Sequence, residues 1–449
     1  MEYFIGLDIG TSSIKGVLLS HDGDKESLAS IAGTKTVYHP ARLGDGPEYV
    51  GYSAEKLYQN ACGVIRALLN SLSLTQLVAV KGLAIASASG NTVLVSDKGE
   101  PLHDAFSWTS PPAQEEYDRF FGEKSPFGAV DPEEVYRACG WPISATFPPG
   151  HLSYIAAHRP ELIKNASKAA MTTEYIIYRL CGEWATDPST ATPSYLCDQE
   201  KAEWLPSMYE RVGVRQEQLP RIGYTGETVG KITPAAAADS GLPTSCRVVL
   251  GSFDHPSAAR GAAPRVLREG QLLLSCGTSW VVFAPINEKE TVIRERLLCD
   301  PFETMRGGAW GGMFSLESVA AKIDKIVTKY VSSAPNRAKH FDAAAEQAEP
   351  GSGGLVIDPT ADADRDFSAY EPKNVARALM EGTARLLKDR LDALAESSGL
   401  RFSSAAMAGG PSNSKIWRKI IEDTLGYEVT VSYAAHTGAL GAARVARGK

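Results

Sequence analysis

Residues 3–20, YFIGLDIGTSSIKGVLLS, read as an apolar run, an Asp-Ile-Gly-Thr-Ser-Ser turn and a second apolar run, the pattern of a strand hairpin. A shortened copy recurs at residues 271–284, QLLLSCGTSWVVFA. In each copy a glycine permits a tight turn and two hydroxyl residues follow it, as Gly10-Thr11-Ser12 and Gly277-Thr278-Ser279. Backbone N–H groups and hydroxyls can then converge on an anion. Two such turns suggest two halves of the chain holding one phosphate chain. The first copy adds Asp8, a carboxylate at a strand end that can bind magnesium directly or through water. Either copy taken alone is equally an ordinary hairpin. Lys15 can reach a phosphate, although a lone lysine on an outward strand face is ordinarily just solvated.

The chain of 449 residues is too long for one core and points to two domains of about 200 residues each. Its 43% hydrophobic and 22% charged residues are ordinary for a soluble globular protein. A net charge of −7 without any basic cluster argues against duplex nucleic acid and acidic membranes as partners. No apolar stretch reaches the roughly 18 to 20 residues of a membrane span, and the N-terminus is an apolar strand carrying Asp8 rather than a signal peptide. A cytoplasmic location is therefore expected. The seven cysteines are scattered, with no C-x-x-C pair and no metal-ligand spacing with any of the eight histidines. Cys276 lies inside the second hairpin among apolar and hydroxyl residues that give no reason for a reactive thiolate.

Ser53 is placed to cap a helix with Leu57, Ala61, Val64, Ile65, Leu68, Leu69 and Leu72 at helical spacing, and residues 82–97 read as strand, small-residue loop, strand. Residues 101–149 are rich in Pro, Gly and aromatics, as in FSWTSPPA and SATFPPGH, and read as a packed insertion beside a pocket. Helical patterns follow at 152–158 and 166–180, the latter stopped by Gly182. The turn cluster at 241–245 precedes the apolar strand 248–250 and marks the expected boundary between a first domain, 1–246, and a second, 247–449. In the second half a helix is expected from about 375 to 394, a strand at 405–408, and a helix capped by Ser414 and ended by Gly426. The Gly/Ala-rich residues 438–446 allow very close helix packing.

Asp254 directly follows the strand 248–250 within GSFDHP. A fixed carboxylate there suits acceptance of a hydroxyl proton during phosphoryl transfer, but the segment by itself favours Asp254 as the cap of the small-residue helix behind it. Gly409-Gly410 before a capped helix makes a platform on which a nucleotide base and ribose can lie, with Asn413 offering donor and acceptor, or else an ordinary strand-to-helix loop. No G-x-x-x-x-G-K-[ST] loop occurs.

The order and spacing of IGLDIGTSSIKGVLLS, GSFDHPSAARGA, LLLSCGTSWVVF and AMAGGPSNSKIWRKIIEDTLGYEV, with the Gly/Ala-rich end, resemble the FGGY carbohydrate kinases of the actin-like ATPase superfold. The resemblance spans nearly the whole chain. It implies an α/β fold of two ribonuclease-H-like domains with a cleft between them, ATP and magnesium as cofactors, and a small-molecule sugar or polyol as the substrate. A homodimer is a family-level expectation. By resemblance, Asp8 is the magnesium-associated acid and Gly10, Thr11 and Ser12 the first phosphate loop, with Lys15 beside it. Gly277, Thr278 and Ser279 are the second phosphate loop, Gly409, Gly410 and Asn413 the adenosine motif, and Asp254 the catalytic base. His255 stands where family members often contact substrate. Two loops depart from the family's pattern: Trp108 is followed by Thr-Ser-Pro-Pro instead of an acidic contact, and the earlier substrate loop reads Ser87-Ala-Ser-Gly-Asn91. The expected reaction is transfer of the ATP γ-phosphoryl group to a hydroxyl of a ketose or polyol. Rival readings are a sugar-binding or regulatory protein that has lost turnover, and an actin-like or chaperone-like ATPase switch.

Overall fold

The computed structural model describes residues 1–23, 25–263, 266–277, 280–316, 318–432 and 436–448. The chain forms two compact units, Met1–Gly261 with Leu298–Trp310 and His436–Lys449 in the first, and Ala262–Leu297 with Gly311–Ala435 in the second.

In the first unit, strands β1 (Glu2–Ile9), β2 (Ser13–Asp22), β3 (Lys25–Lys35), β4 (Val80–Ser87) and β5 (Arg247–Phe253) lie in the order β5-β4-β1-β2-β3, with the short strand Thr228–Lys231 outside β5. Strand β1 is antiparallel to β2 and parallel to β4, and β4 is parallel to β5. The second unit repeats this plan with β6 (Gln271–Cys276), β7 (Trp280–Ile286), β8 (Trp310–Leu316), β9 (Ser404–Gly409) and β10 (Glu428–Val431) in the order β8-β7-β6-β9-β10. Again the first hairpin strand is antiparallel to its partner and parallel to the next strand inward. These are the two ribonuclease-H-like α/β units that the repeated hairpin signals. Strand β5, which follows the expected boundary at 246/247, is hydrogen-bonded into the first sheet, and the first unit runs on to Gly261.

Helix α1 (Ala54–Leu69) is capped by Ser53, whose hydroxyl accepts from the Lys56 N–H; Leu72 lies past its end. Residues 166–180 do not form one helix. Lys168–Ala170 pairs antiparallel with Val93–Val95, and α2 (Thr172–Cys181) begins only after Met171, whose N–H is taken by Glu174. A sheet partner and a side-chain acceptor at that junction override the helical period. Helix α3 (Asp254–Ala262) follows β5, and the second unit carries α4 (Pro372–Ser398) and α5 (Lys415–Leu425), the latter capped by Ser414 and ended by Gly426. Helix α6 (Thr437–Arg447) belongs to the first unit.

Side chains of β1 alternate between two faces. Tyr3, Ile5, Leu7 and Ile9 join Leu57, Val64, Ile65 and Leu68 of α1 in one core. Phe4 packs with Ala84, Ala86, Val249 and the α6 residues Ala442, Val445 and Ala446 in another. Gly6 and Asp8 share that second face. A Cβ on Gly6 would lie 1.8 Å from the Ala439 carbonyl oxygen, so α6 rests on bare backbone. The α3–α6 contact is equally close: a Cβ on Gly441 would lie 1.8 Å from the Ser257 carbonyl oxygen, one on Gly261 2.0 Å from that of Thr437, and the Ser257 hydroxyl donates to the Gly438 carbonyl at 2.8 Å. Among the described residues no helix is long and apolar enough to cross a membrane.

Gly6→Ala should lower the unfolding free energy by more than about 2 kcal/mol, because the new methyl displaces a helix backbone and not a flexible side chain. Gly63→Ala, in α1 where a Cβ would meet nothing within 4 Å, should be neutral or slightly stabilising. Urea denaturation of both variants checks the contrast.

Candidate active site

The β1–β2 turn holds Gly10, Thr11 and Ser12, with the Gly10 N–H donating to the Ser13 carbonyl at 3.0 Å. Thr11 accepts a hydrogen bond from the Trp108 indole N–H at 3.0 Å, which ties the predicted substrate residue Trp108 to the phosphate hairpin. Lys15 stands directly opposite Asp8 in the β1–β2 ladder, so its ammonium shares a face with that carboxylate instead of pointing to open solvent.

Asp8 lies at the first turn of α6: a Cβ on Gly438 would come within 2.8 Å of its Oδ2. Burial raises its pKa from 3.8 to about 7, the negative charge of Asp254 adds to the rise, and Lys15 opposes it. The structure therefore brings Asp8, Lys15 and Asp254 into one electrostatic neighbourhood. His436, just before α6 and in the left-handed region at φ 74°, belongs to it as well; burial and the Lys15 charge lower its pKa. Nothing in the sequence marked His436, because its place depends on where α6 docks.

Asp254 is the first residue of α3, and its Oδ1 accepts from the His255 N–H at 2.7 Å. One oxygen thus takes a free amide of the helix's first turn while the side chain remains 28% exposed. The His255 ring packs edge-on against Phe253 at 5.7 Å. From there a line of aromatic rings leads back to the hairpin. Phe253 meets Trp141 at 5.2 Å, Trp141 meets Phe147 at 6.1 Å, and Phe147 lies parallel to Trp108 at 6.5 Å. Trp141 and Phe147 escaped the sequence reading, although the SATFPPGH segment marked the insertion as pocket-lining.

Asn91 is placed differently from an open substrate contact. It is buried, and its Oδ1 accepts from the Thr172 N–H at 2.6 Å and the Thr172 hydroxyl at 3.1 Å, holding the start of α2. Ser87 is likewise engaged by the Thr173 hydroxyl at 2.7 Å. Gly90, with φ 87°, faces Phe147, whose ring would lie 2.6 Å from an added Cβ.

In the second unit, Gly277 is exposed at the end of β6, and Thr278 and Ser279 lie outside the described residues. Gly409 pairs with Cys276 in the β6–β9 ladder and adopts φ 94°; a Cβ there would lie 2.3 Å from the Cys276 carbonyl oxygen. Gly410 has open space around its Cα, and Asn413 donates to the Gly410 carbonyl at 3.1 Å, leaving its amide oxygen outward on an exposed turn. Burial pushes the Cys276 thiol far above its ordinary pKa, so no thiolate forms in this hairpin.

The family model for the N-terminal domain of the FGGY family of carbohydrate kinases matches residues 3–261, and that for the C-terminal domain matches residues 272–447. The chain belongs to this family. It is an ATP-dependent carbohydrate kinase with the actin-like ATPase fold. The autoinducer-2 kinase of Escherichia coli K12 is 25% identical to it over 478 residues, covering 98% of this chain and 85% of that protein. The crystal structure of xylulose kinase from Rhodospirillum rubrum superposes with a TM-score of 0.82 at 21% identity, covering 99% of this chain and 89% of that one. Gluconate kinase from Lactobacillus acidophilus gives 0.81 at 18%, covering 99% and 89%.

Magnesium fits the residues of this kinase. Asp8 offers hard carboxylate oxygens whose ionisation is resisted by burial and by a neighbouring carboxylate, a deficit that a divalent cation would correct. Among the described residues no three His, Cys, Asp or Glu side chains gather into a cage.

Because folding raises the pKa of Asp8, ionising it opposes folding, and its contribution to stability falls as pH rises from about 4 to about 7. Without nucleotide, Asp8→Asn should therefore melt at a higher temperature than wild type at pH 8, the difference closing towards pH 4. Magnesium with ATP should raise the melting temperature of wild type more than that of the variant. Calorimetric scans across pH measure both.

Proposed function

We propose that this kinase transfers the γ-phosphoryl group of ATP to a hydroxyl of a small ketose or polyol, with Asp254 accepting the hydroxyl proton. The observation that carries this reading is that Asp8 and Asp254 stand at the same end of the first sheet, β1 and β5 both running parallel to β4, where Asp8 and Ser252 each pair with Ala86. One carboxylate stands beside the phosphate hairpin and the other at the end of the aromatic line. The hydroxyl and backbone groups of Gly10, Thr11 and Ser12, with Lys15, bind phosphate oxygens; Asp8 holds magnesium. When bound, that ion supplies charge neutralisation on the phosphates. In the second unit, Gly277, Thr278 and Ser279 bind phosphate, and Gly409, Gly410 and Asn413 receive adenosine.

Trp108, Phe147 and Trp141 offer the acceptor a flat apolar surface, and His255 a polar contact next to the base. Few convergent polar groups on an aromatic wall suit a compact polyhydroxy carbonyl compound. The autoinducer-2 kinases, matched across nearly the whole chain, make autoinducer-2 the first acceptor to test, ahead of pentuloses, hexuloses and polyols. Asp254 is a partly exposed carboxylate at a strand end, which suits it to accept the hydroxyl proton, whereas Asn91 is engaged in holding α2.

A coupled ADP-release screen over these acceptors identifies the substrate. With that substrate, Asp254→Asn should fold normally and lose turnover by about 10³-fold or more. Retention of most activity removes Asp254 from the base role. Trp108→Ala should raise the KM for the acceptor by about tenfold or more with a smaller effect on the KM for ATP. An unchanged acceptor KM removes Trp108 from the acceptor site.

A further inference from the structure

Strand β5 delivers Asp254, yet its last residues lack a strand neighbour on one edge. The outer strand Thr228–Lys231 pairs with β5 only at Arg247, Val248 and Val249, and beyond them Leu250 exchanges hydrogen bonds with Gly226 and Glu227. On its inner edge β5 continues pairing with β4, through Ser252↔Ala86 and Phe253↔Ser87. The N–H of Phe253, the last amide before Asp254, is satisfied by a side chain: the Ser189 hydroxyl accepts it at 3.1 Å. That hydroxyl donates onward to Asp300 Oδ2 at 2.7 Å. Ser189 and Asp300 are each 1% exposed.

Both ends of this chain of hydrogen bonds are fixed. Ser189 sits at the start of a short helical turn whose amides are held by Asp187: its own N–H donates to Asp187 Oδ2 at 3.2 Å, and the Thr190 N–H to Oδ1 at 3.3 Å. Asp300 lies in the segment Leu298–Trp310, which belongs to the first unit. Arg260 of α3 anchors that segment by donating to Glu303 at 2.8 Å and to the Phe302 carbonyl, and it also donates to the Ser252 hydroxyl at 3.0 Å. The two residues before the proposed base are therefore both held, Ser252 through its side chain by Arg260 and Phe253 through its backbone N–H by Ser189.

We infer that Ser189 and Asp300 are positioning residues for Asp254: Asp300 orients the Ser189 hydroxyl, which takes the place of a missing strand and fixes the peptide that aims the carboxylate. This inference rests on Asp254 being the base. The second oxygen of Asp300, Oδ1, is buried with no hydrogen-bond partner among the described residues, so the carboxylate's one hydrogen bond is the one to Ser189. Such an acceptor strengthens the hydroxyl's hold on the amide, because linked hydrogen bonds polarise one another. Removing the link leaves the amide free to shift, and a displacement of about 1 Å in a reacting group costs on the order of 10²-fold in rate.

The test uses the full-length enzyme with its best acceptor. Ser189→Ala and Asp300→Ala should lower kcat by about 10- to 100-fold, with the KM values for ATP and acceptor within about twofold of wild type. Asp300→Asn, whose amide oxygen still accepts from Ser189, should recover most of the loss. Amide hydrogen exchange over residues 247–254 should be faster in Ser189→Ala and Asp300→Ala than in wild type and Asp300→Asn. If Ser189→Ala does not fold, the two Asp300 variants decide the matter by themselves. The inference is overturned by a folded Ser189→Ala with wild-type kcat, by losses confined to KM or melting temperature, or by equal losses in Asp300→Asn and Asp300→Ala. Asp254→Asn run in parallel separates the two claims. An active Asp254→Asn sinks the base reading, whereas an inactive one beside an unaffected Ser189→Ala sinks only the positioning.

Discussion

The backbone contact between β1 and α6 at Gly6 sets the position of Asp8 and, through α3, bears on that of Asp254. Because no side chain separates strand from helix, α6 lies low enough on the sheet for its first turn, at Gly438, to touch the Asp8 carboxylate. The same helix meets α3 through Gly441 and Gly261, and α3 begins with Asp254. Two carboxylates from residues far apart in sequence are thus located by three bare backbone surfaces pressed together. Contacts of this kind have no rotamers to relax, which gives the site its rigidity.

That rigidity is used to hold charges where they are unfavourable. Asp8 is raised to about 7 by burial and by Asp254, and Asp300, behind β5, is raised to about 7 by burial with Asp187 and Asp254 contributing. Lys15 and Arg260 offset this only in part, since they lower these same groups without restoring ordinary values. Strand ends in an open α/β sheet are a place where such strain serves function, because a cationic ligand or a proton relieves it. The large apolar core on one face of the sheet makes the arrangement tolerable, with Ile5, Leu7, Ile14 and Leu18 fully buried in it.

The sequence was readable wherever local chemistry and periodicity agree. The hairpin at 3–20, the capped helices at Ser53 and Ser414, the glycine stops at 182 and 426 and the repeat at 271–284 all announced themselves through turn residues and apolar runs that the structure honours. Residues 166–180 misled because Asn91 and Glu174, one of them 81 positions away, terminate a helical pattern that looks continuous locally. From its segment alone Asp254 reads as a helix cap, and the structure shows why that reading is incomplete: one oxygen takes the His255 N–H in the first turn of α3 while the side chain stays partly exposed. Trp141, Phe147, Ser189, Asp300 and His436 were invisible because each owes its position to tertiary packing. Phe147 and His436 precede helices and Ser189 sits in a helical first turn, but none of the three carries a side-chain cap or periodic pattern that ties it to the site.

The loop 87–91 bears on acceptor choice in the opposite way to its first impression. Its small hydroxyls and single amide suggest a reduced polar code for substrate, but Ser87 and Asn91 turn inward to Thr173 and Thr172. Recognition under the proposed reading then falls on Trp108, Phe147 and Trp141, on His255 and on Asp254 itself. Apolar surfaces discriminate weakly, by about 10- to 200-fold per methylene, whereas a buried polar partner left unpaired discriminates far more strongly. An acceptor pocket built in this way selects mainly by length and by how flat a face the molecule offers. Under that reading, stereochemical choice rests on the hydroxyls within reach of Asp254 and His255, and the proposed placement of the Asp254 carboxylate by β5, Ser189 and Asp300 would then bear on specificity as well as on rate.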